Sequence, residues 1–255
     1  LRQFYINPPA ASLPSPGETV ALDREESHHL ATVLRGGREQ KLCLTDGCGH
    51  RWTGVVTAME NKQALVRIDT FVEDALELQR PRLILACAMV KGKRFEWALE
   101  KAVELGAHAI VPLQCDHGVV TPRDGKQTRW LAVMKSALKQ CGRSWFPDLA
   151  KPVDVAKALA DHSTGRCVFG AAPWESPREP VRPWLTLLAN TPEVLPRSLV
   201  IFVGPEGGWS PAELDLLSAQ ATAVSLGPHV LRAETAVAAG LTALQAVRQK
   251  WNPET

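Results

Sequence analysis

Five short apolar runs, Leu83–Met89, Ala109–Leu113, Arg166–Phe169, Leu199–Val203 and Ala223–Leu226, recur through the last two thirds of the chain, with helix-period segments among them. Alternation of strand and helix in that order points to a parallel sheet covered by helices, because parallel strands need crossover connections and bury both faces. The clearest helical patterns are Phe95–Leu105, stopped by Gly106, and Thr128–Cys141, stopped by Gly142. On the second, Trp130, Val133, Met134, Ala137, Leu138 and Cys141 follow the i, i+3, i+4, i+7 spacing of a buried stripe. Trp52, Trp97 and Trp130 all sit at core-compatible positions.

Residues 1–73 read differently. Runs at Glu18–Leu22, Lys41–Leu44, Trp52–Thr57 and Ala64–Phe71 are separated by Asp46-Gly47 and Glu60-Asn61-Lys62, the pattern of successive strands in a small β-barrel. One short helix is expected from Ser27 as cap, through His28, His29, Leu30, Val33 and Leu34, to Gly36. The polar stretch 74–82, with Pro81 near its end, is the expected linker. At 255 residues the chain is long for one domain of roughly 100–200, and the division expected is 1–73, 74–82 and 83–255.

An apolar fraction of 45% and a charged fraction of 22% exclude a largely disordered or collagen-like chain. No run approaches the ~20 apolar residues that span a bilayer, and the first residues lack a signal-peptide core; no membrane partner and a cytoplasmic location are expected. Six cysteines without a CxxC pair read as reduced structural thiols, with metal binding at Cys115 and His117 a distant second reading, so no metal is expected. The net charge of +2 conceals an asymmetry: residues 80–143 hold 12 Lys and Arg against 5 Asp and Glu. That block is either a solvated face or an electrostatic footprint for phosphates. The same two readings apply to Lys135, Lys139 and Arg143, which recur every four residues on one helix face.

Two glycine-bearing loops follow two of the strand-like runs. Gly204-Pro205-Glu206-Gly207-Gly208-Trp209 leads into Ser210, Pro211 and Glu213, which spell a capping box with proline in the first turn. Gly227-Pro228-His229-Val230-Leu231-Arg232-Ala233-Glu234 leads into a small-residue helix, Ala236–Val247. In open α/β sheets ligands bind outside the carboxyl ends of strands, where glycine lets backbone approach closely. Neither loop matches a dinucleotide or P-loop fingerprint.

These segments, with His28-His29-Leu30, Val33-Leu34-Arg35, Lys101 to Gly106 and Gln140-Cys141-Gly142-Arg143, resemble the RsmE family, the 16S ribosomal RNA uracil-N3 methyltransferases of the SPOUT class, in family order across nearly the whole chain. The resemblance implies a PUA-like β-barrel that helps hold RNA, followed by an α/β SPOUT domain whose parallel sheet carries a trefoil knot. Chain-threading rules alone argue against a knot. It also implies a homodimer, S-adenosylmethionine as methyl donor, and as acceptor a uridine of 16S rRNA near the decoding site of the small ribosomal subunit. Three loops would hold the donor: Phe169, Gly170 and Ala171; Val203, Gly204, Glu206, Gly207 and Gly208; Leu226, Gly227, Val230, Leu231 and Arg232. The chain departs from the family pattern at Cys115-Asp116-His117-Gly118 and at His229, where arginine is frequent, and at Ser144, where asparagine is common.

For such a transfer the protein must align uracil N3 with an activated methyl and manage the proton that N3 loses. Arg232 is the first candidate to stabilise charge on the uracil. Arg143 is the second, or a phosphate ligand. Glu234 either orients Arg232, accepts the proton, or is a simple helix N-terminal charge; Glu206 is read as a brace of its turn. Arg2, Arg35, Lys91, Lys93, Arg94, Lys135, Lys139 and Arg143 are candidate RNA contacts. So are His28 and His29, unless they are ordinary structural histidines. Two other readings stay open: the same fold acting on another RNA base or a ribose hydroxyl, and an RNA-binding assembly factor with a degenerate pocket.

Overall fold

Each apolar run between residues 83 and 226 becomes a strand of one parallel sheet in the computed structural model, which describes residues 1–8, 12–33, 38–74, 81–120, 126–172, 175, 180–184, 186 and 196–249. Contacts divide the chain into two units, residues 1–77 with 135–146, and residues 78–134 with 147–255.

In the first unit, β1 (Arg2–Tyr5), β2 (Thr19–Ala21), β3 (Lys41–Thr45), β4 (His50–Glu60) and β5 (Gln63–Glu73) form a sheet of order β1-β3-β4-β5-β2. Among the described residues only β1 and β3 pair in parallel; the other pairings in this sheet are antiparallel. Alternation explains the strands: on β4, Trp52, Gly54 and Val56 are buried while their neighbours are partly exposed. Asn61 and Lys62 both take left-handed φ, 49° and 65°, the two-residue turn whose twist suits a hairpin. Phe4, Leu22, Leu30, Leu42, Leu44, Trp52, Val66 and Ile68 make the core, and the Trp52 indole donates to the Pro14 carbonyl at 2.8 Å.

The short helix begins earlier than its sequence suggests. It is α1 (Arg24–His28), capped by Asp23, whose side chain accepts the Glu26 amide at 2.8 Å, and it runs on as a π-turn, His29–Val33. Ser27 is no cap: it is buried, and its hydroxyl donates to the Leu22 carbonyl and accepts the Ala64 amide at 2.9 Å, tying α1 to the start of β5. The expected stop at Gly36 and most of the expected linker, residues 75–80, lie outside the described residues.

In the second unit, β6 (Arg82–Ala88), β7 (Ala109–Leu113), β8 (Asp148–Leu149), β9 (Arg166–Gly170), β10 (Arg182–Pro183), β11 (Ser198–Val203) and β12 (Thr222–Ser225) form a sheet of order β10-β12-β9-β11-β6-β7-β8. Every pairing is parallel. All six residues of β11 are buried, as a strand covered on both faces requires. Among the described residues its helices are α2 (Lys93–Glu104), α4 (Val155–Asp161), α5 (Pro211–Gln220) and α6 (Ala233–Gln249). A fifth, α3 (Lys126–Cys141), starts in this unit and ends in the first, so residues 135–146 group with the N-terminal residues rather than with the segment 83–255. Gly240 seats α6 on β11: a Cβ there would lie 2.2 Å from Ile201 Cδ1.

Two helix-face expectations need correction. Trp97 is 39% exposed, because α2 buries Phe95, Ala98, Leu99, Ala102 and Val103, a stripe that position 97 does not share. Its ring lies beneath the Lys101 ammonium at 5.5 Å instead. On α3, Trp130, Met134, Ala137 and Leu138 are buried, but Val133 is half-buried and Cys141 exposed, since Cys141 ends the helix and Gly142 (φ +76°) turns the chain away. Among the described residues, no helix is long and apolar enough to cross a membrane.

Candidate functional site

Sheet order decides where the site lies. Because β12, β9 and β11 are neighbours and parallel, their carboxyl ends share one edge, and the segments that follow them meet there. Between these segments is a cavity of about 450 Å³, within the roughly 300–1,000 Å³ typical of ligand pockets. Gly170 and Ala171 line it after β9, Val203, Gly204, Glu206 and Gly208 after β11, and Leu226, Gly227, Val230 and Leu231 after β12. All ten belong to the three expected loops.

Three expected residues stand elsewhere. Phe169 is fully buried in β9 and packs into the core of the sheet. Gly207 is exposed and does not line the cavity; a Cβ there would meet His117 Cβ at 3.1 Å. Arg232 is exposed between the lining residues Leu231 and Ala233. Glu234, in the first turn of α6, is partly buried, and its Oε2 has no hydrogen-bond partner among the described residues.

The loop after β11 is held from several directions. Ser210 and Glu213 close the capping box at the start of α5, with Pro211 in the first turn. Trp209 folds back over Gly204, where a Cβ would lie 2.9 Å from its ring, and its indole donates to the Gly170 carbonyl at 3.0 Å. Glu206 forms an ion pair with Arg94. Sequence reasoning missed Glu175, which lines the cavity and accepts the Ala172 amide at 2.6 Å and the Trp209 amide at 2.7 Å. It also missed Ser225 and His229 as lining residues. Trp209 and His229 sit within the quoted loops and were legible as neighbours of glycine; Glu175 lies in a stretch with no periodic signal.

The remaining candidates fall outside this cavity. In the first unit, Arg2 is exposed on β1, His28 is exposed with Nδ1 3.3 Å from the Thr32 hydroxyl, and His29 lies edge-on to Phe4. Lys139 donates to the fully buried Glu26 carboxylate at 2.6 Å. Lys135 reaches the same oxygen at 4.0 Å and stands 4.4 Å over the Tyr5 ring. The Arg143 carbonyl accepts the Gln3 side-chain amide at 2.8 Å. Lys91 and Lys93 are exposed in the second unit, ahead of Arg94 on α2. Arg35 lies outside the described residues. Burial, reinforced by Glu213, pushes the Cys115 thiol far up, so it is held in its protonated form. Among the described residues no cluster of three His, Cys, Asp or Glu is placed to hold a metal ion.

Residues 77–245 match the RNA methyltransferase domain family, and residues 22–69 match the RNA methyltransferase PUA domain. A ribosomal RNA small subunit methyltransferase E from Mycobacterium bovis is 31% identical, over 98% of this chain and 93% of its own length. The crystal structure of a ribosomal RNA small subunit methyltransferase E from Neisseria gonorrhoeae bound to S-adenosyl methionine superimposes with a TM-score of 0.79 at 28% identity, covering 97% of this chain and 98% of that one. A putative methyltransferase from Legionella pneumophila, in complex with the same cofactor, gives 0.77 at 29% identity over 96% of both chains.

Proposed function

The chain belongs to the family of small-subunit ribosomal RNA methyltransferases E, and from that premise we propose that it transfers the methyl group of S-adenosylmethionine to N3 of one uridine in 16S rRNA, near the decoding site of the small ribosomal subunit. The observation that carries this reading is the cavity bounded by the three loops after β9, β11 and β12. Its walls fit such a donor. Gly170, Gly204, Gly208 and Gly227 line the cavity, and a Cβ at Gly227 would meet nothing within 4 Å. When bound, the donor supplies a sulfonium methyl already activated for displacement.

The chain's own residues do the rest. The three loops orient the donor and exclude water from it. Arg232, exposed beside Leu231, places a guanidinium against O2 or O4 of the uracil as negative charge develops there. Glu234, two residues on, orients Arg232 or takes the N3 proton. Arg143, Arg2, Lys91 and Lys93 hold RNA phosphates. The N-terminal sheet is the PUA-like barrel, residues 1–73 forming the RNA-holding module, and the C-terminal domain carries the trefoil knot of the SPOUT class. The enzyme works as a homodimer in the cytoplasm.

The test is transfer of labelled methyl from S-adenosylmethionine to small ribosomal subunits lacking the modification, followed by nucleoside mass spectrometry. Appearance of 3-methyluridine in the decoding-region helix is the expected result. A different methylated nucleoside overturns the acceptor, and RNA binding without transfer overturns the enzymatic reading.

A further inference from the structure

The turn that follows β7 reaches across to the loop that follows β11. Its Asp116 amide donates to Glu213 Oε1 at 3.0 Å, and the Ser210 hydroxyl donates to Asp116 Oδ2 at 2.5 Å. Ser210 and Glu213 are each only 6% exposed, so the first turn of α5 and this turn form one bonded unit. Next in sequence, His117 places Nδ1 3.2 Å from the Gly207 carbonyl and 3.2 Å from the Gly208 carbonyl. Both partners are acceptors, so Nδ1 is the protonated nitrogen of the ring.

The far ends of the same two peptide planes are occupied as well. Across a trans peptide the N–H points opposite to the C=O. The Gly208 amide, in the plane of the Gly207 carbonyl, donates to the Pro205 carbonyl at 3.0 Å. The Trp209 amide, in the plane of the Gly208 carbonyl, donates to Glu175 at 2.7 Å. Two consecutive glycines are the point at which a loop most easily flips its peptides, and Gly208, held at φ +75°, lines the cavity.

We propose that His117 is a positioning residue for the methyl-donor pocket: its Nδ1–H clamps the carbonyls of Gly207 and Gly208, and so fixes the two peptide planes that shape the wall after β11. This role rests on the donor reading of the cavity. It acts by preorganisation, lowering the ordering cost of binding rather than adding a contact to the ligand.

Three variants of the full chain separate the bond from the bulk. His117→Leu keeps side-chain volume and removes the donor. His117→Asn restores a donor at the same reach, since its amide nitrogen, like Nδ1, is bonded to Cγ. His117→Ala removes both. Without any ligand, hydrogen exchange at the Gly208 and Trp209 amides should be about tenfold faster in the Leu and Ala variants and close to wild type in Asn. Calorimetry with S-adenosylmethionine should show affinity weakened about fivefold in Leu and Ala and recovered within twofold in Asn. Unchanged exchange and affinity in His117→Leu, or an Asn variant that behaves like Leu, overturns the proposal. A wild-type chain that binds no S-adenosylmethionine overturns the donor reading itself, and the proposal with it.

Discussion

The Glu175 carboxylate accepts the Trp209 backbone amide at 2.7 Å, joining the segment after β9 to the loop after β11 across the cavity wall. Its second oxygen takes the Ala172 amide at 2.6 Å, so one side chain sets the spacing of two of the three loops. Two charge-assisted bonds to backbone make a stiff link, each net about 1.5–3 kcal/mol.

Glu175→Ala should therefore weaken S-adenosylmethionine binding by at least about tenfold while the sheet stays folded. Glu175→Gln, which keeps one strong acceptor, should lose less. Calorimetry alongside circular dichroism reads both; an Ala variant with wild-type affinity would remove Glu175 from the pocket's architecture.

Glycine substitutions divide by where the new side chain goes. At Gly227 the space is open, so Gly227→Val should fold with a thermal midpoint near wild type and still weaken donor affinity more than about tenfold. Gly207→Val acts differently: the added bulk meets His117 and not the cavity, so its effect should track loop disorder measured by hydrogen exchange. Normal donor affinity in Gly227→Val would show that this wall does not face the ligand.

Arg232→Ala should lower single-turnover methyl transfer by about 10²-fold with donor affinity little changed, as loss of a charge-stabilising group does. Arg143→Ala should instead weaken RNA binding and reduce its salt dependence. An unchanged transfer rate in the Arg232 variant would assign the chemistry elsewhere.

Glu26 is fully buried and leans on Lys139 at 2.6 Å, with Lys135 at 4.0 Å. Removing Lys139 strands a buried carboxylate, which costs about 3–5 kcal/mol; Lys139→Ala should melt clearly below wild type, and adding Glu26→Gln should recover most of the loss. A Lys139→Ala midpoint equal to wild type would mean the pair contributes nothing. Any loss of RNA binding in Lys135 and Lys139 variants is interpretable only beside that melt.

Burial pushes the Cys87 thiol up to about 12 and the Cys167 thiol to about 11, from an ordinary 9.0. The folded chain thus keeps protons that the unfolded chain releases. This contribution is complete below about pH 9, so stability should fall progressively from about pH 9 and the contribution be fully lost once pH has passed 11 to 12. At pH 8, a thiol reagent followed by peptide mass spectrometry should mark the exposed Cys48 and Cys141 in the native protein, and Cys87 and Cys167 only after denaturation. Native labelling of Cys87 at the rate of Cys141 would contradict its burial.

Much of the second unit was legible because its signals are local. The run Leu199–Val203 reads as a strand and is one, and Ser210, Pro211 and Glu213 mark a helix start within four residues. The errors were local too. Ser27 reads as a cap by type, but its hydroxyl is engaged by Leu22 and Ala64, and Asp23 caps the helix instead. Cys141 continues a helical stripe by spacing, yet the helix ends on it before the stripe is buried. Lys135, Lys139 and Arg143 share a face by arithmetic, but nothing along α3 announces a buried carboxylate from α1.

What the sequence by itself determined were five strands of the larger sheet, the cap of α5 and the two glycine-bearing loops after β11 and β12, because each depends on residues a few positions apart. Only the tertiary structure decided that β12, β9 and β11 are neighbours and that their loops therefore enclose one cavity. It alone brought Glu175 to Trp209 across 34 positions, His117 to Gly207 across 90 and Lys139 to Glu26 across 113. Partners at such separations share no period and no local propensity; strand order and packing bring them together.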